Sequence, residues 1–343
     1  MSKYWRPPGS TFVDSDTVDK VSLAHKYPHP RDPKIAFTES DHRYYLCGPD
    51  QEETERLSQD LVSVTTLKHG YEQVFQPRKK AQEMAEKKTL AKNPKYAELL
   101  KNVPQQQWAD CLVRKWENDG KEASELGTKM HARLEAFVNS VNSVNSDPTD
   151  EVQTEYEYGL QFLRQVYKQY GLVPYRTEWM VYTDDFDDVP TVSVRQDNNN
   201  NSENLLGPLR LCGSIDLVLA PESQLQNTGR ATDVVICDWK RSKKLELIDR
   251  YKTMRNELSV FPGGNGTGYS IQVNTYKWIL ETCYGLRVWL PDQLSSGLLL
   301  VICHPQNPGP IMYEVEEQQL AVFLMLRVRA WFLQTRPTRQ VRE

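Results

Sequence analysis

The chain has 343 residues, a formal net charge of -4, 39% hydrophobic residues and 26% charged residues. Those fractions exclude wholesale disorder and suit one large domain with appendages, or two small ones. The acidic balance excludes a protein that holds nucleic acid through its total charge. It leaves room for a local basic patch, and carboxylates that hold metal themselves lower the total.

Six cysteines stand at positions 47, 111, 212, 237, 283 and 303. None forms a C-x-x-C pair, so reduced thiols in an intracellular protein are expected and a zinc site is not. The opening MSKYWRPPGSTFVDSD carries acids and prolines and no apolar run. It fits neither a secretory signal nor a mitochondrial presequence. The longest apolar stretches, such as Gly297 to Cys303, are too short to span a bilayer, so no membrane partner is expected.

In chain order, residues 1–34 lack a period and predict an extended, partly ordered arm. Ile35–Phe37 and His42–Leu46 predict a small hairpin around Glu39 to Asp41. Residues 49–60 read as an exposed acidic stretch, and Ser63 to Leu67 opens a mostly helical region. From Pro77 to Asp119 the chain is dense in Lys, Glu, Gln and Ala, with Pro94 and Pro104 as breaks. That composition predicts two or three helices. A long helix follows over Glu122 to Asn142, ended by SVNSVNSDPTD. Another covers Glu151 to Tyr170, with Tyr156, Leu160, Leu163 and Tyr167 on one stripe.

The pattern then changes to strands over Tyr175–Tyr182, Leu209–Leu219 and Asp233–Lys240, with DNNNNSEN (197–204) as a surface loop. A helix over Tyr269–Tyr284, a buried strand over Gly297–Cys303, an edge strand over Ile311–Val315 and a closing helix over Glu316–Thr335 complete the chain. The expected organisation is an arm and hairpin over 1–60, a helical subdomain over 61–125 and an α/β core over 126–343.

Two strands lead into carboxylates: Gly213–Ser214–Ile215–Asp216 and Val234–Val235–Ile236–Cys237–Asp238–Trp239–Lys240. The two-residue period of a strand puts Asp238 and Lys240 on one face. Burying an acid and an amine together is costly without partners, and a divalent cation between Asp216 and Asp238 would supply one. Lys240 could then orient water or stabilise charge on a phosphoryl oxygen. In isolation D-x-K is an ordinary ion pair. Two helical pairs at i, i+4 add to it: His131 with Glu135, and Gln272 with Tyr276.

G-x-x-x-H-x-x-x-E (Gly127, His131, Glu135), G-x-x-D (Gly213, Asp216), D-x-K (Asp238, Lys240) and Q-x-x-x-Y (Gln272, Tyr276) occur in that order. The ordered set resembles the RecB-like branch of the PD-(D/E)XK nucleases, over roughly residues 60 to 285. Ser63–Val64–Thr65–Thr66 resembles the S-V-T-x segment upstream in some members. The resemblance implies a restriction-endonuclease-like core, a mixed sheet flanked by helices, with a helical N-terminal subdomain over the active face. It implies metal-dependent cleavage of DNA that is single-stranded or has free ends, by an exonuclease using Mg²⁺ or Mn²⁺.

The resemblance also implies roles. Asp216, Asp238, His131 and the Trp239 carbonyl would hold metal. Glu135 would stand nearby, and Lys240 would be the catalytic amine. Gln272 and Tyr276 would orient Lys240 and the DNA backbone. Cys283 and Cys303 lie downstream without the cysteine triplet of cluster-binding members, so no iron–sulfur cluster is expected. No P-loop motif for an ATP motor occurs. A catalytically silent nucleic-acid-binding module on the same fold, and an RNA-cleaving enzyme, remain open as alternatives.

Candidate phosphate contacts are Arg241 and Lys243, with Lys240 and Lys244, and the clusters Arg78–Lys79–Lys80 and Lys87–Lys88. The C-terminal Arg327, Arg329, Arg336, Arg339 and Arg342 could add charge. Trp108, Trp116 and Tyr71 are candidates for base stacking, though core packing is expected of each. Gly263–Gly264–Asn265–Gly266–Thr267–Gly268 reads as a flexible loop near the site.

Overall fold

The computed structural model describes residues 4–12, 22–139, 150–183, 208–243, 245, 249–290 and 294–335. The expected loop at 197–204, most of SVNSVNSDPTD, Lys244 and the C-terminal Arg336, Arg339 and Arg342 lie outside the described residues.

The described part of the N-terminal arm carries short elements and leads into the expected hairpin. Strand β1 (Ser10–Phe12), helix α1 (Leu23–Lys26), β2 (Ile35–Thr38) and β3 (Arg43–Leu46) come first, and the three strands form an antiparallel sheet that contains the expected hairpin. The acidic stretch after it is a helix, α2 (Gln51–Ser58), because Asp50 caps it by accepting the Glu53 amide and because it buries Thr54 and Ser58.

Next come β4 (Val62–Ser63) and α3 (Val64–His69), which Ser63 caps through the Thr66 amide. Then follow α4 (Pro77–Ala85), α5 (Ala97–Leu100) and α6 (Trp108–Asn139). Helix α6 is continuous for 32 residues, so the expected break near Asp119 and the division at 125 both fall inside one helix. Its Gly120 costs only about 1 kcal/mol of propensity, too little to end a helix anchored by buried Leu112, Met130 and Leu134.

Helix α7 (Gln153–Tyr170) ends on Gly171, whose φ of 64° is the left-handed conformation of a helix C-cap. Its buried face is Tyr156, Gly159, Phe162 and Val166, rotated from the expected stripe, and Tyr167 is half exposed. Close approach to α6 explains the rotation. A side chain at Gly159 would stand 2.3 Å from Leu134 Cδ2.

The rest is β5 (Leu172–Tyr182), β6 (Leu211–Pro221), α8 (Glu222–Thr228), β7 (Asp233–Lys240), β8 (Asp249–Thr253), β9 (Pro262–Gly263), α9 (Asn265–Cys283), β10 (Arg287–Val288), β11 (Leu298–Ile302), β12 (Ile311–Glu314) and α10 (Gln319–Thr335). The expected glycine loop is largely the first turn of α9, with Gly266, Thr267 and Gly268 buried. A Cβ at Gly268 would lie 2.0 Å from Glu72 Oε1, so a larger residue there would displace that carboxylate.

The central sheet runs β12-β11-β7-β6-β4, with β5 along the other edge of β6 and β10 paired to β7. It is mixed: β11 and β10 are parallel to β7, β4 is parallel to β6, and the remaining pairs are antiparallel. Helices cover both faces. Val234, Ile236 and Ile215 pack with Ile271, Ile279 and Met325 of α9 and α10, whereas Val235, Cys237 and Trp239 pack with Met130, Leu134 and Phe162 of α6 and α7. Burial on both faces explains the unbroken apolar run into Asp238. The molecule is therefore an α/β protein with a mixed central sheet flanked by helices.

One feature of this sheet positions Asp216. Strand β5 takes one edge of β6 from Cys212 to Pro221. On the other edge, among the described residues, β7 pairs only with Leu217 to Leu219 and β4 only with Leu211 and Cys212. Between them, from Gly213 to Asp216, the sheet forks.

The N-terminal sheet is welded to β5 by buried polar contacts. Arg176 Nη1 donates to Asp32 Oδ2 at 2.9 Å and to the Tyr27 carbonyl at 3.1 Å, and Trp179 Nε1 donates to Asp32 Oδ1 at 2.9 Å. All six cysteines are free thiols. Among the described residues no helix is long and apolar enough to cross a membrane.

Candidate metal centre

Asp216 stands at the fork rather than at a strand end. The register that sets Leu217 opposite Cys237 brings Asp216 alongside Asp238. Past that point β7 turns away, and the Trp239 amide donates to Asp216 Oδ2 at 2.8 Å. A side-chain oxygen thus satisfies a buried backbone donor that the diverging partner strand no longer reaches.

Helix α6 closes over the fork. His131 Nε2 lies 3.2 Å from the Trp239 carbonyl oxygen, and Nδ1 lies 3.7 Å from Asp216 Oδ2 and 3.6 Å from Glu178 Oε1. His131, Glu178 and Asp216 each offer a ligand atom, all within 4.8 Å of one another. Three ligand groups therefore converge, the imidazole Nδ1 and two carboxylates, while the Trp239 carbonyl holds the ring from its Nε2 side.

Glu178 was not among the residues singled out by motif. Its backbone has φ of 43°, the left-handed region that non-glycine residues rarely enter. The conformation is held from both sides. Thr177 Oγ1 donates to the Asp216 carbonyl at 2.9 Å, and Ser214 Oγ donates to Glu178 Oε2 at 2.9 Å. Such strain is found where a side chain must be aimed at a site. The available sequence signal was an acid in the middle of the aromatic strand Arg176–Thr177–Glu178–Trp179–Met180.

Asp238 and Lys240 share a face as the strand period requires, with Lys240 Nζ 2.5 Å from Asp238 Oδ2. Gln272 Nε2 donates to Asp238 Oδ1 at 3.3 Å. Asp238 is thus committed to Lys240 and Gln272 and stands beside the trio of His131, Glu178 and Asp216, not within it. Glu135, one turn beyond His131, is half-buried and close enough to Glu178 for the two charges to repel.

The electrostatics fit a site built to hold positive charge. Burial pushes Asp216 above the usual carboxylate range, with the His131 and Lys240 charges opposing. Asp238 is raised to about 6, first by burial and further by Asp216, while Lys240 pulls it down. Burial would lower His131, but Asp216 and Glu178 more than offset it and raise it to about 9. Lys240 is likewise raised despite burial, by Asp238 and then Asp216. Burial raises Glu135 too, with Glu178 adding to it. Clustering buried carboxylates is unfavourable on its own, and a divalent cation is the partner that relieves it. Oxygen donors with one imidazole suit hard or borderline divalent ions.

The supporting residues depart from the expected roles in identifiable ways. Tyr276 is 2% exposed, and a side chain at Gly213 would meet its hydroxyl at 2.5 Å. It is a wall of the fork, buried away from any bound strand, and it explains why Gly213 is glycine. Gln272 is also buried and acts on Asp238, the partner of Lys240. Arg241 Nε donates to buried Glu155 at 2.7 Å, so it ties the end of β7 to α7 and is not free for phosphate. Lys243 is exposed. Trp108 and Tyr71 are buried in the core, as expected of core packing.

No protein-family model matches the chain, and no curated protein matches it significantly.

Proposed function

We propose that the protein is a metal-dependent nuclease hydrolysing phosphodiester bonds of DNA, on a restriction-endonuclease-like core of the RecB-like kind. The observation that carries this reading is the convergence of His131, Glu178 and Asp216 at the forked sheet, with the Asp238–Lys240 pair beside it. The sequence order of these residues supports it.

Asp216, Glu178 and His131 would hold Mg²⁺ or Mn²⁺, and Asp238 would complete the acidic side of the site; the Trp239 carbonyl, expected as a ligand, instead orients His131 through its Nε2. When bound, the cation supplies Lewis-acid chemistry for phosphodiester hydrolysis. The protein supplies the rest. Lys240 places an ammonium where charge develops on the phosphoryl oxygens or on attacking water. Asp238 fixes that ammonium, and Gln272 fixes Asp238. Helix α6 brings His131 and Glu135 over the open side of the fork. An exonuclease acting on single-stranded or end-containing DNA is the preferred form.

The test is degradation of end-labelled DNA with Mg²⁺ or Mn²⁺, compared with matched RNA and with closed circular DNA. Cleavage of linear DNA that is lost in Asp238→Ala supports the reading. Cleavage of the circle would remove the exonuclease preference. Failure of both metals would remove the enzyme assignment and leave the silent binding module on the same fold.

A further inference from the structure

A cleft of about 520 Å³ lies between α4 and the β8–β9 pair. Lys79 and Lys80 stand on one wall, Lys252 and Asn265 on the other, and Glu72 to Gln76 form the floor. The walls are tied together. Gln73 Nε2 donates to the Thr253 carbonyl at 3.0 Å, and the Arg255 amide donates to the Tyr71 carbonyl at 2.7 Å. The cleft is therefore preformed rather than a gap between loose segments.

Its lining combines cations with an exposed ring. Phe75 is 62% exposed, yet its ring is fixed edge-to-face on Trp116 at 5.5 Å between centroids. An exposed, immobilised aromatic ring beside ammonium groups is the pairing that unpaired nucleic acid uses, since bases stack and phosphates need positive charge. Most of the cleft's charges are already engaged: Glu72 by Lys68 at 2.7 Å, Glu83 by Lys80 at 3.4 Å, and Lys252 by Asp249 at 2.9 Å. Lys79 has no carboxylate within ion-pair distance among the described residues.

The cleft lies near the metal centre. Lys68 Nζ, which holds Glu72, lies 5.4 Å from the centroid of the Tyr269 ring, and Lys240 Nζ lies 4.8 Å from the same centroid. One ring and one buried lysine thus separate the floor of the cleft from the proposed catalytic amine.

We infer that this cleft binds an unpaired nucleic-acid strand next to the scissile bond, with Phe75 stacking a base and Lys79 contacting a phosphate. The inference rests on the nuclease reading for its direction toward Lys240, but strand binding can be measured apart from cleavage. The probe is a fluorescein-labelled oligothymidylate, followed by anisotropy in EDTA with the full chain. Phe75→Ala and Lys79→Glu, both at exposed positions, should each weaken binding about tenfold. Lys79→Glu should also flatten the salt dependence. Metal-dependent hydrolysis of bis(p-nitrophenyl) phosphate, which needs no strand path, should be unchanged in both variants.

The inference is overturned if the wild type does not bind the oligothymidylate, if both variants bind like wild type, or if a blunt duplex binds as tightly as the single strand. Strand binding that both variants weaken, without hydrolysis of either substrate by the wild type, would sink the nuclease reading and leave the cleft standing. Hydrolysis by the wild type with strand binding unaffected in the variants would do the reverse.

Discussion

The Trp239 amide donates to Asp216 Oδ2 at 2.8 Å, so the acidic side chain of one strand satisfies the backbone of the strand that is leaving it. Asp216 therefore has two tasks, one structural and one as a ligand, and they can be separated. Asp216→Asn keeps an acceptor for the Trp239 amide but removes the charge. It should fold normally and lose at least ~10²-fold in Mn²⁺ affinity, measured by calorimetry. Asp216→Ala should lose the affinity and also about 1–3 kcal/mol of stability in urea unfolding, because the buried amide is left unpaired.

Glu178 should behave as a ligand and Ser214 as its positioning partner. Glu178→Gln is expected to abolish tight Mn²⁺ binding with little change in melting temperature without metal. Ser214→Ala should weaken binding by about 10–100-fold, the usual effect of removing a hydrogen bond to a ligand. Unaltered Mn²⁺ affinity in Glu178→Gln would remove Glu178 from the site.

Lys240 is expected to separate binding from chemistry. In Lys240→Met, Mn²⁺ should still bind, while hydrolysis of end-labelled DNA falls about 10²–10³-fold, the effect of losing one charge-stabilising donor. A parallel loss of metal binding would show that the ammonium serves chiefly to hold Asp238 in place.

Part of the central region was legible from residue spacing, and the rest of the expected site came from the resemblance of the ordered motifs. The D-x-K period placed Asp238 and Lys240 on one face, and the bounds of β7 coincide with the expected strand. The i, i+4 spacing put His131 and Gln272 each on one helix face; that His131 reaches the centre was implied only by the resemblance, and the structure sets Gln272 on Asp238. Glu178 escaped because its orientation depends on a left-handed backbone conformation and on Ser214 and Asp216 of the next strand, none of which leaves a local period. Arg241 was misjudged for a related reason, since its partner Glu155 lies far along the chain on α7. The single long helix α6 was hidden by Gly120, whose propensity penalty tertiary packing overrides.

The N-terminal sheet should contribute to global stability. Asp32 is 3% exposed and accepts from Arg176, Trp179 and the His29 amide. Asp32→Ala leaves the Arg176 guanidinium buried without its counter-ion and should cost about 3–5 kcal/mol in denaturant unfolding. A cost near zero would mean the sheet is a detachable arm.

The same region should loosen in acid. Burial lowers His29 below its ordinary value, and its Nδ1 accepts from the Arg31 amide at 3.3 Å. A histidine depressed in the folded state resists a proton that the undocked chain accepts near pH 6.5. Docking is therefore fully favourable above that pH and weakens as pH falls below it. Limited proteolysis before β2 should accelerate from pH 7.5 to pH 5.5, and His29→Phe should flatten that dependence.

The account stands on one cation bound at the fork of the sheet. Nitrogen couplings to bound Mn²⁺, read by pulsed electron paramagnetic resonance, test this most directly. One tightly bound Mn²⁺ should show a histidine nitrogen coupling that disappears in His131→Ala and a binding site that disappears in Asp216→Asn. Absence of tight binding in the wild-type protein, or a nitrogen coupling that survives His131→Ala, would contradict it.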